Sequence, residues 1–170
     1  APLATLEKFM LFVSDNHYAE QLLRAAGRDA SAGKNDSDAG IVQEIRFLQS
    51  RAIPISGMRL VDGSGLAESN RVAAITLARI LSDAELRGGN AELDPLLPQG
   101  GKDGTLKHYD FTTALGRIRA KTGHLSDAAS LAGYVDSAHH GRLAFAFMIN
   151  GSPADPDAAY VSAVDRLAAY

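Results

Sequence analysis

Three stretches towards the C-terminal end limit what this chain can fold into. Ile118, Ala120 and Thr122 alternate with Arg117, Arg119 and Lys121, the two-residue period of a half-buried strand. Ala129, Leu131, Gly133 and Val135 repeat that spacing. Leu143, Phe145, Phe147 and Ile149 repeat it again with Ala144, Ala146 and Met148 between them, so the third strand is apolar on both faces and needs cover on both. The connections are short, Asp136 to Gly141 being a turn, whereas parallel neighbours need a crossover of about a dozen residues or more. The three stretches therefore predict an antiparallel meander flanked by helices, an α+β fold.

The rest of the chain supplies the helices. Leu3, Leu6, Met10 and Val13 recur at helical spacing beside Phe9 and Phe12, and Tyr18, Leu22 and Ala26 mark a second helix. Gly27 to Gly40 reads as a loop. Ile41, Ile45 and Leu48 mark a third helix, ended by Ile53-Pro54. Met58 to Val61 predicts a short strand, followed by a sharp turn at Asp62-Gly63-Ser64-Gly65-Leu66. Ser69 or Asn70 caps a helix through Val72, Ile75, Leu77, Ala78 and Leu81, and Gly88 to Gly104 is loop-rich. Thr112 to Leu115 is a helical turn or a plain turn into the sheet. Asp155 caps a closing helix with Pro156 in its first turn and Tyr160, Val161, Val164, Leu167 and Ala168 on its apolar face. The length of 170 residues suits one domain, with a helical region over 1–115 and the meander plus closing helix over 116–170.

Composition removes several functions. Hydrophobic residues make up 46% and charged residues 22%, a globular balance. A net charge of -3 without any basic block gives no electrostatic footprint for nucleic acid. No apolar run approaches a membrane span, and Ala1-Pro2-Leu3 leads straight into an amphipathic pattern with no signal peptide visible. Without cysteine there are no disulfides or thiolate metal sites. His139-His140 falls in a turn with no third ligand indicated, His17 and His108 have no spaced partners, and no carboxylate pair stands out, so no metal is expected.

Two short motifs remain. Ser14-Asp15-Asn16 breaks the first helical pattern, and Lys121-Thr122-Gly123 lies on the first strand. Each has a plain structural reading: the triplet as a helix N-cap, Lys121 as a solvated charge and Thr122 as an ordinary strand residue. Together they are two parts of the set found in penicillin-interacting serine enzymes, whose third part, Ser-x-x-Lys, holds the nucleophile. Ser31-Ala32-Gly33-Lys34 has that spacing, but Gly33 and Asn35-Asp36 argue against the helix it needs, and it follows the triplet instead of preceding it.

The stretch from Val13 to Leu23, the turn Val61 to Leu66, and Arg119 to Gly123 followed by Ser130 to Val135 resemble, in order and spacing, the D-alanyl-D-alanine carboxypeptidase/endopeptidase family of the penicillin-binding protein 4 (DacB) type. The resemblance covers nearly the whole chain and implies the C-terminal part of a penicillin-binding-protein/β-lactamase-like transpeptidase fold. It places the nucleophile motif and the remaining strands of a five-stranded sheet upstream. The family's chemistry needs no cofactor. Its substrates are peptidoglycan stem peptides, β-lactams react with it, and its place is extracytoplasmic, in the periplasm or cell envelope, with peripheral membrane association a further implication. The N-terminal remainder of the same enzyme becomes the expected partner. Oligomeric state is left open.

Carried over residue by residue, the resemblance makes Ser14 a proton relay towards the leaving group and Asn16 an amide for the substrate backbone and the nucleophile's lysine. Lys121 supplies positive charge beside Ser14, Thr122 binds the substrate carboxylate, and Gly123 lets the substrate lie along the strand. The N–H of residue 124 completes an oxyanion hole; the family commonly has Ser or Thr there, and this chain has His124. Leu66 lines a pocket for the residue before the D-alanines. Asp15 has no assigned chemistry and reads as a cap or loop tie. The alternatives are a non-catalytic peptidoglycan- or partner-binding remnant and, with coincidental motifs, an unrelated α/β binding domain.

Overall fold

A computed structural model describes residues 1–28, 36–88, 93–151 and 155–170. The Ser31 to Lys34 segment lies outside them. The described helices are α1 (Leu3–Val13), α2 (Asn16–Gly27), α3 (Ser37–Ser50), α4 (Ala74–Gly88) and α5 (Pro156–Ala169). The strands are β1 (Ile118–His124), β2 (Ala128–Ser137) and β3 (Gly141–Asn150), with two short 3-10 turns, Asp94–Leu96 and Gly104–Leu106, ahead of β1.

The strands form the expected antiparallel meander in the order β1-β2-β3, with Lys121 opposite Ala132 and Thr122 opposite Leu131. Ile118, Ala120, Leu131, Val135 and Phe145 pack on one face against Tyr160, Val164 and Ala168 of α5, with Leu106, Phe111 and Ala114 closing the layer. On the other face Tyr134 packs with Leu97 and with Leu81 of α4, and Leu11 of α1 joins them. The Tyr134 hydroxyl donates to the Leu81 carbonyl at 2.8 Å. Burial, then the Glu85 and Asp94 charges, push that phenol up to about 12. The sheet is thus covered on both faces, as the apolar third strand requires.

Local chemistry sets the helix boundaries. Asp15, Asp36 and Asp155 each cap a helix, accepting respectively from the N–H of Tyr18, of Asp38 and Ala39, and of Ala158. Part of the expected loop at 27–40 is therefore the first turn of α3. The strand expected at Met58 to Val61 reduces to a bridge between Arg59 and Arg71. The reason is the Asp62 carboxylate, which accepts from the N–H groups of Gly65 and Ala67 and from the Asn70 amide, while Asn70 accepts from Val61 N–H. Those bonds fold the chain back on itself and use up Asn70, so α4 begins at Ala74 and not after a cap at Ser69 or Asn70.

Residues 112–115 form a turn bound to α5 by Asp165, which accepts from Thr112 N–H and hydroxyl and from Ala114 N–H at 2.7–3.1 Å. Burial alone would raise this carboxyl, but the hydrogen bonds outweigh it and hold it below its usual 3.8. A depressed carboxyl stabilises the fold above its unfolded pKa, and the contribution fades as pH falls through the folded value. Asp165→Asn should cost about 1–2 kcal/mol at neutral pH and flatten the loss of stability below pH ~4. Urea unfolding at pH 7 and pH 3 checks it; an unchanged acid limb would count against the account.

Two surfaces lack cover among the described residues. α1 is strongly apolar, yet none of its residues is buried, and Leu3, Phe9 and Val13 are 59%, 46% and 54% exposed. The outer edge of β3, ten residues long, pairs with no strand. Such an edge is an open template for another strand.

Candidate active site

The break between α1 and α2 is built by Ser14 and Asp15. Ser14 ends α1 in the left-handed region (φ 57°, ψ 50°), where its N–H returns to the Met10 carbonyl. Few non-glycine residues adopt that conformation, and it turns the chain sharply at this point. Asp15 then caps α2. The structural reading of the triplet thus holds for Asp15, and the Ser14 hydroxyl stays available.

That hydroxyl meets Lys121. The Lys121 Nζ donates to Ser14 Oγ at 2.7 Å, across 107 residues of sequence, and also to the Thr122 carbonyl at 2.5 Å. Lys121 projects from the face of β1 that also carries Arg119, opposite the α5 layer. It is partly buried, and burial lowers its ammonium from the usual 10.5. No carboxylate pairs with it among the described residues. Arg119, two residues earlier on the same face, is by contrast neutralised by Asp94 at 3.2 Å.

The opposite face of β1 forms the rest of the cleft. The buried Thr122 donates through Oγ1 to Thr105 Oγ1 at 2.9 Å. His124 Nε2 lies 3.0 Å from Asp157 Oδ1, and the Tyr109 hydroxyl donates to that same oxygen at 2.6 Å. Burial first, then the Asp157 hydrogen bond and charge, push the Tyr109 phenol above its usual range and keep it a donor. Ser14, Thr105, Tyr109, Thr122, Gly123, His124 and Asp157 line an open cleft of about 430 Å³.

The backbone adds an exposed edge. Gly100 N–H donates to the Ile118 carbonyl and Ala120 N–H to Pro98, whereas Arg117 accepts from Asp136 at the start of the β2 pairing. Strand groups alternate between neighbours, so residues 118, 120, 122 and 124 turn their N–H and C=O groups away from β2. The 98–100 segment covers this edge beside residues 118–120. Alongside Thr122 and His124 it carries no strand among the described residues.

Of the sequence-predicted residues, the structure brings Ser14, Lys121, Thr122, Gly123 and His124 together. Asn16 and Leu66 do not line the cleft. Asn16 is the exposed first residue of α2, and Leu66 is 56% exposed on a turn that Glu20 fastens to α2 by accepting from the N–H groups of Gly63 and Ser64. Thr105, Tyr109 and Asp157 had no sequence signal. They come from a 3-10 turn, a loop and a helix start, where an acid in the first turn already satisfies the helix dipole.

A model of the D-Ala-D-Ala carboxypeptidase 3 (S13) family matches residues 1–170. A D-alanyl-D-alanine carboxypeptidase of Actinomadura sp. (strain R39) is 35% identical over 172 residues, covering 97% of this chain and 31% of that protein. Carboxypeptidase DacB of Mycolicibacterium smegmatis is 36% identical over 177 residues, covering 99% of this chain and 37% of that one. Penicillin binding protein 4 (dacB) from Haemophilus influenzae superposes with a TM-score of 0.88 at 27% identity, over 99% of this chain and 40% of that one. The chain therefore spans roughly a third of the length of the curated relatives it matches. The expected α+β fold class is borne out.

Proposed function

The chain belongs to the D-Ala-D-Ala carboxypeptidase 3 (S13) family, and we propose that it supplies the second and third motifs of a serine-type, penicillin-binding D-Ala-D-Ala carboxypeptidase/endopeptidase acting on peptidoglycan peptides. The observation that carries this reading is the 2.7 Å hydrogen bond from Lys121 Nζ to Ser14 Oγ. A lysine with only a solvated role would extend into water, not lose part of its hydration against a hydroxyl.

The nucleophilic serine, with its lysine, belongs on this reading to an upstream part of the polypeptide, as do the strands that would pair with β3 and the elements that would cover α1. The serine attacks the penultimate D-alanine carbonyl as its own lysine takes the hydroxyl proton, and the oxyanion that forms takes a hydrogen bond from the outward N–H of His124. Because Lys121 already donates to Ser14 Oγ, the hydroxyl proton of Ser14 is free to pass to the leaving amine, and Lys121 can replace it. The lowered basicity of the buried ammonium helps that transfer. Thr122 exchanges Thr105 for the substrate carboxylate, drawn in by Lys121. Gly123 lets the peptide lie along the uncovered edge as an added strand. Water then hydrolyses the acyl-enzyme. Asn16 and Leu66, outside the cleft lining, are assigned to the side that the upstream segment completes, Asn16 towards the nucleophile's lysine and Leu66 towards the residue before the D-alanines. Stem peptides and β-lactams as ligands, and a place outside the cytoplasmic membrane, follow from this chemistry.

The test is fluorescent-penicillin labelling of the complete polypeptide, with the labelled serine mapped by peptide sequencing. Label on a Ser-x-x-Lys serine upstream of residue 1 is expected. Absence of label on a folded sample would favour a non-catalytic peptidoglycan- or partner-binding remnant, and label on Ser14 would reverse its assigned role.

A further inference from the structure

The side chains of the far wall of the cleft have no part in the reaction just described. Its centre is Asp157, the second residue of α5, whose side chain is 49% exposed. Oδ1 receives the Tyr109 hydroxyl at 2.6 Å and lies 3.0 Å from His124 Nε2, which fixes the carboxylate from two sides. Among the described residues, Oδ2 has no hydrogen-bond or ion-pair partner. Tyr109 belongs to the loop after the second 3-10 turn and His124 ends β1, so three separate segments converge to orient one carboxylate that lines an open cleft.

Its position relative to the proposed reaction is defined by β1. Thr122 and His124 share one face of the strand, two residues apart. If the leaving residue's carboxylate rests on Thr122 and the scissile carbonyl on the N–H of His124, the leaving residue lies over this face, and its side chain is directed at Asp157. The methyl group of a leaving D-alanine would meet none of these polar atoms and would leave most of the cleft empty. A longer side chain ending in an ammonium group would occupy more of the cleft and reach a fixed carboxylate oxygen with open lone pairs. One ending in a carboxylate would face like charge.

We propose that Asp157, oriented by Tyr109 and His124, is a specificity determinant that favours a leaving D-residue with an ammonium-bearing side chain over D-alanine and disfavours one with an acidic side chain. Asp157 would touch the substrate; Tyr109 and His124 are positioning residues. The bond chemistry is unchanged: the amide C–N bond breaks, the leaving amine gains a proton, and water supplies the hydroxyl that releases the acyl group. The inference rests on the acyl-transfer reading.

The experiment measures kcat/KM of the complete polypeptide for N-acylated D-Ala-D-Lys, D-Ala-D-Ala and D-Ala-D-Glu. The expected order is D-Lys, D-Ala, D-Glu, with about tenfold between the extremes at low salt and less at 0.5 M, because half-exposed charges are screened. In Asp157→Asn the ratio of D-Lys to D-Glu should fall to within about twofold. Tyr109→Phe, which removes one orienting bond and no charge, should reduce the ratio partially. The wild-type order and its salt dependence need no variant, so a misfolded Asp157→Asn leaves the test intact. Equal rates for the three substrates, a preference for D-Glu, or an unchanged ratio in a folded Asp157→Asn overturns the proposal. Penicillin labelling of the same preparation separates the two readings: label without D-Lys preference removes the specificity site alone, and no label with no hydrolysis removes both.

Discussion

Lys121→Met in the complete polypeptide is expected to slow penicillin acylation by about 10²–10⁴-fold, the usual contribution of a positioned proton-transfer group. The substitution keeps most of the stem and removes the ammonium, so Ser14 Oγ loses the donor now 2.7 Å away and, on the proposed proton path, the means to replace the proton it gives up. Lys121→Arg retains the charge but not the geometry, since a planar guanidinium with a far higher pKa neither fits the same point nor gives up a proton. Arg should therefore keep more of the substrate affinity and still lose most of the rate. The pH profile gives a second readout. Burial lowers the Lys121 ammonium below 10.5, so wild-type activity should fall on the alkaline side below that value as the charge is lost. In the Arg variant the residual activity should lack that limb. Linkage gives the opposite sign for stability. A depressed lysine opposes folding below its folded pKa, and the penalty disappears as pH rises towards 10.5. Lys121→Met should thus be neutral or slightly stabilising at pH 7, the trade expected if Lys121 has the proposed role. Stopped-flow acylation with a fluorescent penicillin measures the rate. A variant within tenfold of wild type would remove Lys121 from the proton path.

What could be read in the sequence and what could not divide along a physical line. The meander was legible because alternation is local: Ile118, Ala120 and Thr122 turn to one face whatever lies above them. The convergence of Ser14 on Lys121 was legible only because two motifs occur in order, since nothing in either stretch alone carries the other across 107 residues. Asp157, Tyr109 and Thr105 follow no period, and their meeting depends on how α5 and the loop before β1 dock on the sheet. The strand expected at Met58 to Val61 failed because one carboxylate, Asp62, gathered three donors and overrode β propensity. α1 has an apolar pattern that predicts burial, yet none of its residues is buried. There the pattern reports a surface whose cover is not among the described residues, which agrees with a chain spanning about a third of its relatives.

The second large effect concerns stability, at Gly133. It lies on β2 opposite Ala120, and a Cβ there would stand 2.1 Å from the Arg119 carbonyl oxygen, 2.5 Å from Ala120 Cα and 2.6 Å from Ala120 Cβ. Those atoms are backbone or bound directly to it, so no rotamer change relieves the clash. β1 cannot swing outwards cheaply, because its other edge is bonded through Ile118 and Ala120 to Gly100 and Pro98. Moving it would also disturb the layer in which Ala120 packs against α5. Gly133→Ala should therefore cost about 3 kcal/mol or more, beyond the usual range for a single added methyl. A loss of about 3 kcal/mol would lower the melting temperature by about 6–12 °C in a 150–250-residue domain, and by less in the larger complete polypeptide. The displacement reaches the site, because Lys121 adjoins Ala120, so the folded fraction should also acylate more slowly. Gly123→Ala provides the contrast on the same strand. Its Cβ would meet only the movable Ser130 hydroxyl, at 2.5 Å, so stability should change by less than about 1 kcal/mol, while the added methyl impedes a peptide lying along the strand. Thermal melts with penicillin acylation on the same samples separate the two glycines. A Gly133→Ala protein that melts with the wild type would mean that β1 has room to move, and Lys121 would then be far less firmly placed than its bond to Ser14 implies.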